Sequence, residues 1–215
     1  MSSEVIRIGL DHDDVLVQFI PGFVAWSHKR YDTSPRMSDY MDDWAQWWGV
    51  PVEEAITRRS TFWESGVALD FPVVPRAKET LRRLSDYGLH GCEVEMFILT
   101  SRPEVARFVT QMSVELHFPD FIRPGDIFFA GFFDGPITEE SYRRTKGHIF
   151  KEKGAHVAVD DAPSHVNDAG ELGIPLPIHL DYYRRHGRPG LHPAAQSVTD
   201  WGQALDCMET LELAS

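Results

Sequence analysis

Asp11 and Asp13 stand two residues apart, immediately after the apolar run Val5–Leu10. Thr100, Ser101 and Arg102 follow the run Met96–Leu99, and Asp160 and Asp161 follow His156–Val159. Lys146 opens the segment that leads into that last run. Carboxylates gathered at one rim repel one another unless a cation is present. With two hydroxyls and a lysine they make a set suited to phosphomonoester hydrolysis. A phosphomonoester dianion repels an incoming nucleophile and has a poor alkoxide leaving group. A hard, oxygen-liganded Mg²⁺ neutralises charge and orients a phosphate oxygen. Asp11 can then attack phosphorus in line and form an aspartyl-phosphate. Asp13 can protonate the leaving oxygen and afterwards activate water. Thr100 and Lys146 can hold phosphoryl oxygens, alongside backbone N–H groups at the start of a helix.

Each signal has a plainer reading. An acidic residue after a strand is often a helix N-cap. Asp160-Asp161 resembles a turn before Pro163, Thr100 a strand-end residue, and Lys146 a solvated charge. Their joint order favours a site, because in a parallel α/β sheet ligands bind at the carboxyl ends of the strands. Lys151 and Lys153 compete with Lys146 for the catalytic edge. At a rise of about 1.5 Å per residue, Lys153 lies roughly 10 Å further along the helix, so Lys146 is selected.

The elements that must position these residues follow from periodicity. Five short apolar runs predict buried strands: Val5–Leu10, Met96–Leu99, Asp126–Ala130, His156–Val159 and Pro177–Leu180. Ala77, Leu81 and Leu84 mark a helix ending near Gly88. Pro103 opens another, with Val105, Phe108, Val109, Met112 and Leu116 predicted on its inner face. Further helices are predicted from Lys146 to Lys153, from Ser164 to about Gly173, and through Trp201, Leu205, Met208 and Leu211. Alternating strands and helices predict a three-layer, Rossmann-like parallel sheet with helices on both faces.

The connection from Asp11 to Phe97 is longer than one crossover needs. Residues 17–72 are therefore read as a mostly helical cap, and residues 1–16 with 73–215 as the catalytic core. Trp26, Trp44, Trp47, Trp48 and Trp63 fall in the cap, while Trp201 is outside it. Trp44, Trp47 and Trp48 read best as packing of the cap itself, since a small helical unit needs bulky side chains for its core.

Composition bounds the partners. A net charge of −12 argues against a nucleic acid polymer unless basic residues cluster. The basic pairs Arg82-Arg83, Arg143-Arg144 and Arg184-Arg185 each have acidic neighbours or a helix-face explanation. No apolar run approaches a membrane span, and Met1–Leu10 lacks the anatomy of a signal peptide. Cys92 and Cys207 form no disulfide framework or Cys-x-x-Cys metal site, so a reducing cytoplasm is the expected location.

The ordered set resembles the haloacid dehalogenase superfamily of aspartyl phosphatases. The four matching stretches are Ile8 to Leu16 around Asp11-His12-Asp13, Phe97 to Arg102 ending in Thr100, Lys146 opening a helix, and Val157 to Asp161. They frame nearly the whole chain. His12 departs mildly, occupying a position that is usually apolar. The resemblance implies Asp11 as nucleophile and Asp13 as general acid/base. It implies phosphate binding by Thr100, Ser101 and Lys146. It also implies Mg²⁺ held by Asp11, the backbone carbonyl of Asp13 and one of Asp160 and Asp161, with Asp161 favoured as the direct ligand.

A closer resemblance is to the 5'(3')-deoxyribonucleotidase group, carried by Asp13 to Phe19, Phe62 to Ser65, Leu99 to Pro103, Asp181-Tyr182-Tyr183 and Trp201. It implies a nucleoside monophosphate as the small phosphorylated partner, and a base pocket formed by Phe19 and Trp63. Arg102 reads equally as structural or as touching substrate. A phosphatase of sugar phosphates or another small metabolite is the competing reading, because choice among substrates resides in the cap. A dehalogenase has no need of Asp13, and a phosphonate-cleaving relative needs a cap lysine such as Lys29. A non-catalytic phosphoryl-binding module fits poorly with both Asp11 and Asp13 in place. The sequence sets neither the base and sugar preference nor the oligomeric state.

Overall fold

The computed structural model describes residues 5–33, 36–37, 43–130, 145–186 and 190–211. Among the described residues six parallel strands form one sheet: β1 (Val5–Leu10), β2 (Glu93–Thr100), β3 (Ile127–Phe129), β4 (Val157–Asp160), β5 (Leu176–Leu180) and β6 (Gln196–Val198), in the order β3-β2-β1-β4-β5-β6. From β1 the chain adds β2 and β3 on one side, then returns to add β4, β5 and β6 on the other. The order therefore reverses between β1 and β4, the kind of position where open α/β sheets bind ligands.

Side chains alternate across the strands and build two cores. Ile6, Ile8 and Leu10 of β1, Met96 and Ile98 of β2 and Val157 and Val159 of β4 face one cluster. That face is covered by α4 (Ala77–Tyr87), α5 (Arg107–His117) and α8 (Trp201–Met208), through Leu81, Val109, Val114 and Trp201. Phe97, Leu99 and Ala158 face the opposite cluster. There α6 (Lys146–Glu152) and α7 (Pro163–Glu171) supply Ile149, Phe150 and Ala169. Gly9 permits this close approach, since a Cβ on it would lie 2.4 Å from the Phe150 ring. Among the described residues no helix is long and apolar enough to cross a membrane.

Between β1 and α4 lie α1 (Phe19–Tyr31), α2 (Trp44–Trp48), α3 (Val52–Glu64) and a short 3₁₀ turn at Val67–Asp70. The chain leaves and returns side by side. Val17 bridges Val73, Gln18 N donates to the Pro72 carbonyl at 2.8 Å, and Val74 N donates to that of Leu16 at 2.9 Å. Phe23 centres the helices, with ring centroids of Trp44 at 4.3 Å, Phe62 at 4.8 Å and Trp47 at 5.2 Å. Trp47 and Trp48 are buried, as packing residues should be. The same apolar cluster runs on into the sheet through Ile20, Phe71 and Leu10.

Two expectations need correction. The inner face of α5 is Val109, Thr110, Ser113 and Val114, with Ala106 buried in the turn before it, while Val105, Phe108, Met112 and Leu116 are exposed at 53%, 72%, 38% and 62%. Pro103 opens a 3₁₀ turn at Glu104–Ala106 before the α-helix begins. A 3₁₀ residue turns about 120° where an α residue turns about 100°, so the phase moves while the spacing of apolar residues persists. Thr110 tolerates burial because its Oγ1 donates to the Ala106 carbonyl at 2.8 Å. The other correction is β6, a short and mostly exposed edge strand whose Gln196-Ser197-Val198 gives no apolar run. The pair Arg143-Arg144 lies outside the described residues.

Candidate active site

The residues singled out by order in the sequence meet at the switch point. Asp11 follows β1, and its N–H donates to the Val159 carbonyl at 2.9 Å, which ties it to β4. Lys146 is brought to the same edge by the first turn of α6. Thr145 caps that turn, and Gly147 N donates to Asp168 Oδ2 at 2.8 Å. A Cβ on Gly147 would come within 2.4 Å of that oxygen, so glycine is required for this cap. The Lys146 ammonium then lies 2.8 Å from both Asp11 Oδ1 and Asp160 Oδ2. Lys153 instead lies over the Phe128 ring at 3.7 Å. Asp160 Oδ1 accepts from the N–H of Ala162 at 3.0 Å and lies 3.1 Å from His165 Nδ1. Asp161 pairs with Arg185, from the segment after β5.

Asp13 is held differently. Arg102 places Nε 2.9 Å from Oδ2 and 3.2 Å from Oδ1, and Nη2 2.7 Å from Oδ1. His12 Nδ1 lies 3.4 Å from the same Oδ1. Thr100 Oγ1 accepts from Arg102 N at 3.1 Å. The Ser101 hydroxyl is buried and makes no hydrogen bond among the described residues. Asp14, with the left-handed φ of 57°, folds the loop back so that its Oδ1 accepts from Ile20 N at 3.1 Å.

Electrostatics follow from this crowding. Burial raises Asp11 to about 7, with Lys146 opposing and the carboxylates of Asp160 and Asp13 adding. Burial likewise raises Asp14 to about 8, and it raises Asp161 well above the usual range with help from Asp14. For Asp160, burial is outweighed by Lys146 and His165, and for Asp13 by Arg102 and His12, so both fall below that range. Burial and Arg102 lower His12 to about 4. The Lys146 ammonium is stabilised because Asp11 and Asp160 outweigh its burial.

This donor set fits a hard divalent cation. One carboxylate oxygen each from Asp11, Asp160 and Asp161 lie within 4.8 Å of one another. The acids Asp11, Asp13, Asp14, Asp160 and Asp161 face the cations Lys146, Arg102 and Arg185, an excess of negative charge that a divalent ion would neutralise.

A cavity of about 750 Å³ opens above the cluster. Asp11, Asp13, Ser101, Lys146 and Asp161 line it, and Phe19, Trp44, Trp63, Val52, Ala55 and Ile56 wall it on the side of the helical insertion. Thr100 and Asp160 do not line it and are each 1% exposed. Phe19 and Trp63 border the cavity yet are nearly enclosed, whereas Trp44, read as packing, both borders the cavity and packs against Phe23. Asp14, His165 and Arg185 also border it, and sequence order had given them no role. Asp14 and Arg185 offered usable signals, an acid in the run directly after the first strand and a basic residue shortly after the fifth.

No protein-family model and no curated protein matches the chain. Solved structures do. A HAD-superfamily hydrolase of subfamily IA from Geobacter sulfurreducens is 15% identical, with 96% of this chain and 98% of that chain covered and a TM-score of 0.57. The HAD-hydrolase YfnB from Bacillus subtilis, solved bound to magnesium, is 12% identical, with coverages of 95% and 99% and a TM-score of 0.57. A HAD family hydrolase from Deinococcus radiodurans, with bound phosphate and sodium, is 15% identical, with coverages of 96% and 89% and a TM-score of 0.51. At these identities the likeness is one of fold, and the chain has the α/β fold of the haloacid dehalogenase-superfamily hydrolases.

Proposed function

We propose that this protein is a Mg²⁺-dependent phosphomonoester hydrolase working through an aspartyl-phosphate on Asp11. The observation that carries the reading is the meeting of Asp11, Lys146 and Asp161 on the inner side of one cavity, with Asp160 behind them bonded to Lys146. Asp11, the backbone carbonyl of Asp13 and Asp161 would hold the ion, with Asp160 contributing charge while it positions Lys146. The ion supplies charge neutralisation and orientation of a phosphate oxygen. Lys146 keeps Asp11 aligned and offers a positive charge to the phosphoryl group. The hydroxyl of Ser101, buried at the cavity wall with no partner among the described residues, can donate to a phosphoryl oxygen. Thr100 supports it from behind by fixing the backbone at Arg102. As the Asp11–P bond forms and the ester P–O bond breaks, Asp13 gives the leaving alkoxide a proton that its carboxyl must first take up against Arg102, which holds it ionised in the resting site. In the second step Asp13 takes a proton from water as its oxygen attacks phosphorus, which releases inorganic phosphate and free Asp11.

For the substrate we propose a (deoxy)nucleoside monophosphate. The apolar and aromatic wall of Phe19, Trp44 and Trp63 supports this, because it would shelter a planar base above a phosphate-binding floor. The test is phosphate release from nucleoside monophosphates and sugar phosphates with added Mg²⁺, beside an Asp11→Asn variant. Mg²⁺-dependent turnover lost in the variant is expected, with nucleotides preferred. Full activity in Asp11→Asn refutes the mechanism, and a preference for sugar phosphates refutes the nucleotide assignment alone.

A further inference from the structure

Arg102 has no place in the reaction so far, and its environment is unusual. Its side chain is 1% exposed, while that of Asp13 is 22% exposed and opens on the cavity. Nη1 donates to Thr110 Oγ1 at 3.0 Å, which fastens the guanidinium to α5. The Trp63 ring lies 4.9 Å away and that of Phe19 5.9 Å away, at cation–π range, so the insertion also holds it. Nε and Nη2 donate to Asp13, unequally. Oδ1 has Nη2 at 2.7 Å, Nε at 3.2 Å and His12 Nδ1 at 3.4 Å around it, while among the described residues Oδ2 has only Nε, at 2.9 Å.

We propose that Arg102 is a positioning residue that anchors Asp13 through Oδ1, so that Oδ2 is the oxygen that exchanges the proton with the leaving group and with water. The inference rests on the reading of Asp13 as general acid/base. Opening one hydrogen bond frees Oδ2, while the shorter Nη2 bond and the planar fork keep the carboxylate in register. Because Trp63 lies against Arg102, the helical insertion and Asp13 are in mechanical contact through one side chain. Proton transfer needs donor and acceptor within hydrogen-bond reach, so loss of the anchor slows the chemistry without weakening phosphate binding.

The experiment compares Arg102→Lys and Thr110→Val with Asp13→Asn on an alkyl phosphate and an activated aryl phosphate. Inorganic phosphate inhibition and thermal melting are measured alongside. Arg102→Lys keeps the charge and loses the fork. It should lower kcat on the alkyl ester by roughly 10- to 100-fold, a part of what a general acid supplies. The aryl ester should lose several-fold less, and the inhibition constant for phosphate should stay within about twofold. Thr110→Val loosens the anchor without touching Asp13, should show the same pattern more weakly, and serves if Arg102→Lys fails to fold. Adding Arg102→Lys to Asp13→Asn should cost nothing further. Equal losses on both esters, weaker phosphate inhibition, or additive losses in the double variant overturn the proposal. Full alkyl-ester activity in Asp13→Asn alone would instead remove the general acid/base reading beneath it.

Discussion

Replacing Lys146 with Met should expose how the carboxylate cluster is balanced. Lys146 is 1% exposed and bridges Asp11 and Asp160 at 2.8 Å each. Removing one partner of a buried ion pair costs about 3–5 kcal/mol, because the other charge is left uncompensated. For a chain of this size that corresponds to a fall in Tm of roughly 6–20 °C. The loss should depend on pH. Burial, with Asp160 and Asp13, raises Asp11 to about 7 even against Lys146, so without the lysine it rises further. A carboxyl raised on folding contributes stability below its unfolded value, and that contribution is lost as pH climbs through the folded value. At about pH 6 Asp11 holds its proton in both proteins, and the variant chiefly loses the partner of Asp160. At about pH 8.5 the wild-type Asp11 is ionised against Lys146, and the variant must bury that charge or keep the proton at a cost of about 1.4 kcal/mol per pH unit. Urea denaturation in EDTA at both pH values is the assay. A destabilisation under about 1 kcal/mol at both, or a larger one at the lower pH, would refute the buried bridge and its charge balance.

Mg²⁺ at a hundredfold excess over its Kd should stabilise the wild type by about 2.7 kcal/mol, and Asp161→Asn should remove most of that shift in a thermal melt with and without EDTA. Gly147→Ala pushes a Cβ to within 2.4 Å of Asp168 Oδ2 and should cost about 1–3 kcal/mol in urea denaturation, with turnover falling as Lys146 is displaced. Phe108→Gln, at a site 72% exposed, should change stability by no more than about 0.5 kcal/mol, whereas Val109→Ala on the buried face of the same helix should cost more than about 1 kcal/mol.

The sequence by itself determined what periodicity and order can carry. Strands buried on both faces read as apolar runs, so β1, β2, β4 and β5 were legible, as was the shorter β3 within Asp126–Ala130, and the polar residues just beyond them had to share one sheet edge. That logic picked out Asp11, Thr100, Lys146 and Asp160-Asp161 from residues up to 150 positions apart. It also selected Lys146 over Lys153, because distance along a helix is fixed by its rise. Phase and partnership were decided only by the tertiary structure. The apolar spacing on α5 marks the face of Phe108, Met112 and Leu116, yet the helix buries the face holding Val109 and Val114, where Thr110 reaches Arg102. β6 exists because β5 presents an edge to be paired, which three residues of weak pattern cannot announce. Arg102 and Asp13 are 89 residues apart, and no spacing rule joins them. Their pairing arises because the loop after β2 faces the loop after β1 across adjacent strands, under the aromatic side chains of the insertion. Local sequence fixes which groups reach the edge. Three-dimensional packing fixes which of them touch, because hydrogen bonds and desolvation act through space and not along the chain.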